Sequence, residues 1–213
     1  MNITLVRNAT LILDTPAGRL LVDPMLDPAG ARPPIEDTAN PVRNPTVELP
    51  LPADEVVRDL DAVLVTHCHE DHLDDTAVRL LPRDAPVFCQ PEDEERLRAL
   101  GLDAQAVDES VKWNGLPLHR VPAQHGFGAV AEDLAPVSGF VLDDLYLAGD
   151  TVWYEEVERT IERFRPRVAV LRLAEHRDVA WEQPGGGVVE VVLVTVRHED
   201  GVQVPHDLLR AQG

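Results

Sequence analysis

The spacing of apolar and polar residues along the chain predicts an α/β protein that opens with a short β-meander. Short apolar stretches bounded by turn residues are typical of strands, and Ala17-Gly18 turns the second stretch into the third. Strands and helices then alternate, in a mixed order that fits two sheets packed between helices. Strands are predicted at residues 3–6, 10–13, 20–22, 62–65, 86–89, 116–121, 138–142, 145–148, 168–173 and 191–196. Helices are predicted at residues 53–60, 74–81, 91–100 and 154–164.

Prolines interrupt the segment at residues 24–52, including Pro33, Pro34, Pro41 and Pro45. The segment is too broken for a helix and too long for an ordinary connection between two elements. It is therefore expected to be either the rim of an active site or a flap without fixed structure.

Three histidines and a carboxylate follow the predicted strand at residues 62–65 within a few positions. His67 and His69 are two residues apart where the strand ends, so both side chains can point to the same side and hold one ion. Asp71 and His72 then turn toward a second ion. Imidazole with carboxylate suits zinc, manganese or iron, and the lack of thiolate argues against a closed structural zinc site. Helix capping would explain Asp71 alone, but it does not explain three histidines.

The pattern His-x-His-x-Asp-His after a hydrophobic strand resembles that of the metallo-β-lactamase-fold hydrolases. A Gln-His-Gly sequence at His125 and a Gly-Asp-Thr sequence at Asp150 follow in the expected order. Residues 21–26 and 147–153 are similar to the branch related to L-ascorbate-6-phosphate lactonase. The resemblance runs from residue 1 to about residue 170 and implies an αββα sandwich, with two mixed sheets between outer helices. It also favours the rim for the proline-rich segment.

The resemblance implies a centre of two divalent ions, zinc first and manganese or iron also fitting. Two such ions share a water that becomes the nucleophile, because a divalent ion lowers the pKa of bound water from 15.7 toward about 7. Asp71 is also the candidate catalytic residue, because it can orient that water. Without the upstream cluster, His125 would be a loop histidine and Asp150 a turn or cap residue. The implied ligands are His67, His69 and His125 for the first ion, Asp71, His72 and His198 for the second, and Asp150 between them.

The C-terminal quarter departs from the related enzymes. These usually have a small-residue loop, a methionine segment and a helix before the last histidine ligand, whereas this chain has a shorter and different sequence after about residue 171. Either natural divergence or a change of reading frame would account for the difference. His198 follows a predicted strand and is the first candidate for the second ion. His206 is the alternative, His176 belongs to a charged loop, and His119 is expected on a strand surface.

Composition indicates one domain over residues 1–213, with 44% hydrophobic residues and a formal net charge of −19. Such a charge repels nucleic acid and anionic membranes, so a small-molecule substrate is expected. With neither a membrane-spanning run nor a signal-peptide pattern at the start, a cytoplasmic protein is predicted. Cys68 and Cys89 are expected to be reduced core residues, and the acidic residues 92–95 a solvated helix start rather than a cation site. A homo-oligomer stays compatible with the sequence.

Two classes of function stay open from the sequence. The first is a binuclear metal-dependent hydrolase that acts on a small metabolite with a lactone, ester or phosphoester bond. The second is a mononuclear or inactive protein of the same fold, with a binding or structural role. Metal content separates the two, because about two equivalents per chain favour the enzyme and one or none favours the second class.

Overall fold

The computed structural model describes residues 1–34, 41–126, 136–172 and 190–194, and for Arg172 and residues 190–194 it describes the backbone alone. This part of the chain forms two six-stranded sheets that face each other, with helices against both outer faces. The predicted αββα sandwich of two mixed sheets is thereby confirmed. The prediction of a single domain over the whole chain stays a prediction.

The first sheet contains the first six strands, arranged from one edge to the other in their order along the chain. The first three form the predicted antiparallel meander, and each later strand runs parallel to the one before it. The carboxyl ends of the three parallel neighbours after the meander therefore meet at one edge of the sheet. The strands are β1 (Asn2–Arg7), β2 (Thr10–Thr15), β3 (Gly18–Val22), β4 (Ala62–Val65), β5 (Pro86–Cys89) and β6 (Asp103–Ala106).

The second sheet contains the remaining six described strands, also arranged from one edge to the other in their order along the chain. Its first four strands along the chain are antiparallel neighbours, and the last two are added in parallel. The strands are β7 (Ser110–Trp113), β8 (Leu116–Pro122), β9 (Ser138–Leu142), β10 (Leu145–Leu147), β11 (Val168–Arg172) and β12 (Glu190–Val194).

Strand alternation divides the apolar residues among three layers of core. On β4, Leu64 faces the second sheet, whereas Val63 and Val65 face the outer helices, so this strand is buried on both sides. The outer face of the first sheet packs against α1 (Ala53–Val56), α2 (Asp75–Leu80) and α3 (Pro91–Ala99). The outer face of the second sheet packs against α4 (Glu155–Phe164) through Val157 and Ile161. None of the described helices has the length and apolar character that a membrane span needs.

Most predicted elements lie within a few residues of their observed bounds. The helix predicted at residues 53–60 ends at Val56, and the helix predicted at 74–81 starts at Asp75, because the Asp74 side chain accepts a hydrogen bond from Ala77 N at 2.8 Å as its N-cap. Strands β6 and β7 were not predicted. Their sequences, Asp-Ala-Gln-Ala and Ser-Val-Lys-Trp, have little apolar character, and pairing with a neighbouring strand defines them.

Both cysteines are buried and unpaired, as expected, and they belong to the same apolar cluster on the outer face of the first sheet. Burial raises the pKa of the Cys68 thiol, and burial raises that of Cys89 to about 12. Both thiols therefore stay protonated, as the core role requires.

Candidate metal centre

The histidine motif occupies the loop that leaves the carboxyl end of β4. Because β4 is paired on both sides, the start of this loop has a fixed position. The backbone then turns sharply, since the amides of His72 and Leu73 both donate to the carbonyl of His69, at 3.0 and 2.9 Å. The loop ends at Asp74, the cap of α2. The turn brings three histidines that are close in sequence to one side of the loop.

Three of the predicted ligands of the first ion lie together. His67 is fully buried, and its Nε2 lies 3.0 Å from Nδ1 of His69. For comparison, two nitrogens bound tetrahedrally to zinc at 2.0–2.1 Å are about 3.3 Å apart. The His125 ring arrives from the loop after β8, with its centroid 5.2 Å from that of His69. The three rings are therefore neighbours, and the nitrogens of His67 and His69 are separated by nearly the distance expected for two ligands of one zinc ion.

The Asp150 carboxylate lies between the two groups of predicted ligands. Its Oδ2 is 3.4 Å from Nε2 of His125 and 4.0 Å from Nε2 of His67, whereas its Oδ1 is 3.0 Å from Nε2 of His72. Gly149 before it has φ +62°, and a Cβ there would lie 2.8 Å from the carbonyl oxygen of Ser138. Glycine is therefore required at this position for the chain to turn and present the carboxylate.

The second group contains His72 and Asp71. His72 is fully buried, and its Nε2 lies 3.8 Å from Oδ2 of Asp71. One ligand atom each of His67, His72 and Asp150 lies within 4.8 Å of the others. The carbonyl of Asp71 accepts a hydrogen bond from Asn8 Nδ2 at 2.9 Å, so the turn after β1 also supports this end of the motif.

The electrostatics of the histidines fit a divalent ion. Burial lowers the pKa of His67 to about 2, with the neighbouring His72 adding to the shift, and burial also lowers the pKa of His69. Both rings are therefore neutral, which is the form that binds metal. Burial opposes the protonation of His72, but the carboxylates of Asp150 and Asp23 outweigh it and raise its pKa to about 10. A positive charge is thus favoured beside Asp150, and a bound metal ion would provide such a charge.

Asp23 and Thr66 support the centre, and no role was predicted for either. Asp23 follows β3 beside β4, where its Oδ1 accepts from Thr66 N at 2.7 Å and its Oδ2 accepts from Thr66 Oγ1 and His72 Nδ1, each at 2.9 Å. A carboxylate on the second ring nitrogen of a ligand histidine fixes its orientation and tautomer. Asp23 and Thr66 each follow one of two adjacent parallel strands, β3 and β4. Both strands were predicted, but the strand order was needed to recognise that their ends are neighbours.

The described parts of the proline-rich segment lie against the motif, in support of the rim that was expected. Arg32 is largely buried and contacts Oδ2 of Asp27 at 2.8 Å and Oε2 of Glu70 at 2.6 Å. The backbones of Arg32 and Asn44 also pair with each other. Arg32 thereby ties this segment to the loop that carries the histidines.

Other histidines stand apart from the centre or outside the described residues. His119 is half-buried on β8, with its ring centroid 5.0 Å from that of Phe164. It lines a cavity of about 550 Å³ that borders none of the candidate ligands in the described part of the chain, so cavity size does not identify the substrate site. His176, His198 and His206 lie outside the described residues.

Two mixed sheets with imidazole and carboxylate groups clustered at their edge define the class of the metallo-β-lactamase fold. The chain belongs to the β-lactamase superfamily, because residues 18–177 match the family described as Beta-lactamase superfamily domain. This confirms the predicted family, and the end of the match agrees with a resemblance that weakens near residue 170. The predicted lactonase-like branch stays a prediction.

Two relatives carry the UPF0173 family name, and one of them is named as a metal-dependent hydrolase. UPF0173 protein YddR of Bacillus subtilis (strain 168) is 35% identical over 180 residues, which cover 80% of this chain and 71% of that protein. UPF0173 metal-dependent hydrolase MJ1163 of Methanocaldococcus jannaschii is 30% identical over 139 residues, which cover 61% of each protein. The identity to YddR places this chain in the UPF0173 family.

Two solved structures are similar at comparable identity. The isothiocyanate hydrolase from Delia radicum gut bacteria has a TM-score of 0.74 and 33% identity, covering 80% of this chain and 71% of that one. A possible metal-dependent hydrolase from Veillonella parvula DSM 2008 has a TM-score of 0.76 and 33% identity, covering 89% of this chain and 76% of that one. These likenesses and the family membership support a metal-dependent hydrolase of the β-lactamase superfamily.

Proposed function

We propose that this protein is a binuclear metal-dependent hydrolase of small metabolites that uses water as its nucleophile. The observation that carries the proposal is the position of Asp150, whose two carboxylate oxygens face different histidines. Oδ2 faces His125 and His67, and Oδ1 faces His72. A carboxylate in that position can serve two ions at once.

Each side chain has a role that follows from its position. The first ion would be held by the neutral imidazoles of His67, His69 and His125, and His72 with Asp71 would contribute to the second. When bound, two divalent ions supply a nucleophile at neutral pH and polarise the substrate oxygen. The Asp71 carboxylate, at 24% exposure, is accessible enough to accept a hydrogen bond from a water and orient it. Asp23 holds His72 with Nδ1 protonated, which leaves Nε2 to face the centre.

The ligand chemistry favours zinc, with manganese and iron as further candidates, because imidazole and carboxylate mixtures suit all three. We propose substrates with a lactone, ester or phosphoester bond, each of which has an electrophilic centre and an oxygen that an ion can polarise. The named activity of the isothiocyanate hydrolase adds a fourth bond type, a cumulated carbon between nitrogen and sulfur. We propose a small-molecule substrate, since the net charge of −19 disfavours nucleic acid.

The test begins with elemental analysis of protein purified without added metal. A panel of lactones, esters, phosphodiesters and isothiocyanates is then assayed with the metal found, beside a His67→Ala variant. We expect about two equivalents of metal per chain in the wild type, turnover of at least one class, and loss of both turnover and metal in the variant.

Other outcomes decide between the open classes of function. One equivalent or none, without turnover, would favour the mononuclear or inactive protein of this fold. Unchanged metal content in His67→Ala would contradict the assignment of the first ion.

A further inference from the structure

The acidic start of α3 contacts the backbone of the histidine motif directly. Oδ2 of Asp93 accepts a hydrogen bond from the backbone N–H of Cys68 at 3.1 Å. Cys68 lies between His67 and His69. This hydrogen bond therefore holds the peptide group between His67 and Cys68 in place. Asp93 is thus more than part of a solvated helix start, which is the role that was expected for residues 92–95.

Gln90 extends the contact to the second sheet. Its Nε2 donates to Oδ2 of Asp93 at 2.8 Å and to the carbonyl of Pro136 at 2.7 Å, and its Oε1 accepts from Oγ of Ser138 at 2.9 Å. Gln90 is 1% exposed and Ser138 is 2% exposed. All of the hydrogen-bonding groups of this amide are used, so its orientation is fixed.

The topology explains why these residues meet. Cys89 pairs with Val65 in the parallel ladder, so Gln90 leaves the sheet beside Thr66, at the edge where the motif begins. Ser138 pairs with Pro122 at the end of β8, the strand that leads to His125. The bonds from Cys68 through Asp93 and Gln90 therefore connect the two parts of the chain that carry the first ion's predicted ligands.

We propose that Asp93 and Gln90 are positioning residues that set the distance between the His67–His69 loop and the chain leading to His125, and thereby the affinity of the first ion. The inference rests on the proposed metal centre. Loss of the Asp93 acceptor leaves the Cys68 N–H without its partner in a part-buried site, which is unfavourable unless the loop shifts. Such a shift moves His67 and His69 together. Loss of a residue that supports metal ligands through hydrogen bonds typically lowers metal affinity by about 10–100-fold.

Two variants of Asp93 separate the hydrogen bond from the charge. Asp93→Ala removes the acceptor, and Asp93→Asn retains an oxygen that can take the position of Oδ2, the atom that receives both bonds. Glu92→Ala is the matched control, because Glu92 is an exposed acid of the same helical turn. Gln90→Asn keeps the amide but shortens it, so it cannot span from Asp93 to Ser138.

The experiment is titration of metal-free protein with Zn²⁺ by calorimetry and with Co²⁺ by visible absorption, after the thermal unfolding of each apo variant has been measured. We expect Asp93→Ala to weaken the first ion by about 10-fold or more and to change the Co²⁺ spectrum. Gln90→Asn should shift the affinity in the same direction and provides the test if Asp93→Ala does not fold. Asp93→Asn should stay close to the wild type, and Glu92→Ala should be unchanged.

Three results would overturn the inference. First-ion affinity in Asp93→Ala equal to that of Glu92→Ala would leave the metal centre intact but remove the positioning role. A loss in Asp93→Asn as large as that in Asp93→Ala would assign the effect to charge. Failure of the wild type to bind any ion would overturn both this inference and the proposed function, which distinguishes the two cases.

Discussion

Replacement of Asp23 by Asn should selectively weaken the second ion. Asn tolerates the left-handed backbone at this position, where φ is +44°, so the substitution retains the shape of the chain. The amide oxygen must stay near Thr66 N, which is buried and donates to Oδ1 at 2.7 Å. The amide nitrogen then takes the place of Oδ2 and faces Nδ1 of His72, at 2.9 Å in the wild type. Two donors cannot share a hydrogen bond, so in the neutral ring that metal binding requires, the single His72 proton would lie on Nε2 instead of Nδ1.

The size of the effect follows from that change of tautomer. Nε2 of His72 faces Oδ1 of Asp150 at 3.0 Å, and once protonated it has no lone pair for a metal. Changes to the partner of a ligand histidine typically lower metal affinity by about 10–100-fold, which corresponds to roughly 1.4–2.8 kcal/mol. His67 and His69 retain their mutual contact, so the first ion should be little affected.

The assay is calorimetric titration of the metal-free protein with Zn²⁺, which resolves two binding events when their affinities differ. Asp14→Asn is the matched control, because it removes the same charge from a side chain that is 47% exposed. We expect the second event alone to weaken in Asp23→Asn. A second event of wild-type affinity would refute the tautomer reasoning, and equal weakening of both events would mean that Asp23 supports the loop as a whole.

Other substitutions test Asp150, the C-terminal histidines and the N-cap of α2. Asp150→Asn should lower the metal content measured by elemental analysis, because it removes the carboxylate oxygen between the two groups of ligands, and full occupancy with full activity would make Asp150 a turn residue instead. His198→Ala should weaken the second ion in a Zn²⁺ titration while His206→Ala is nearly silent, and the reverse pattern would move the ligand to His206. Asp74→Ala should lower the free energy of unfolding by about 1–2 kcal/mol in urea denaturation, since the cap on Ala77 N is lost, and an unchanged midpoint would contradict that role.

Strands with a strong apolar pattern could be predicted without the structure. Residues 62–65 and 86–89 were predicted as strands with the bounds observed for β4 and β5, because a short apolar run between turn residues has few alternatives. The motif from His67 to His72 was recognisable for a similar reason. Its residues are local in sequence, and metal binding explains their clustering better than any structural role does.

The residues that support that motif could not be predicted in the same way, because their contacts with it depend on the fold. Asp23 reaches Thr66 across 43 positions and Asp93 reaches Cys68 across 25, so no local pattern links either pair. Both contacts exist because β3 and β5 flank β4 in parallel, so that the carboxyl ends of the three strands meet at one edge. Asp and Glu are common in turns and helix starts, and their roles at this centre depend on that edge. Non-local strand pairing therefore places these acidic residues where they can support a metal centre.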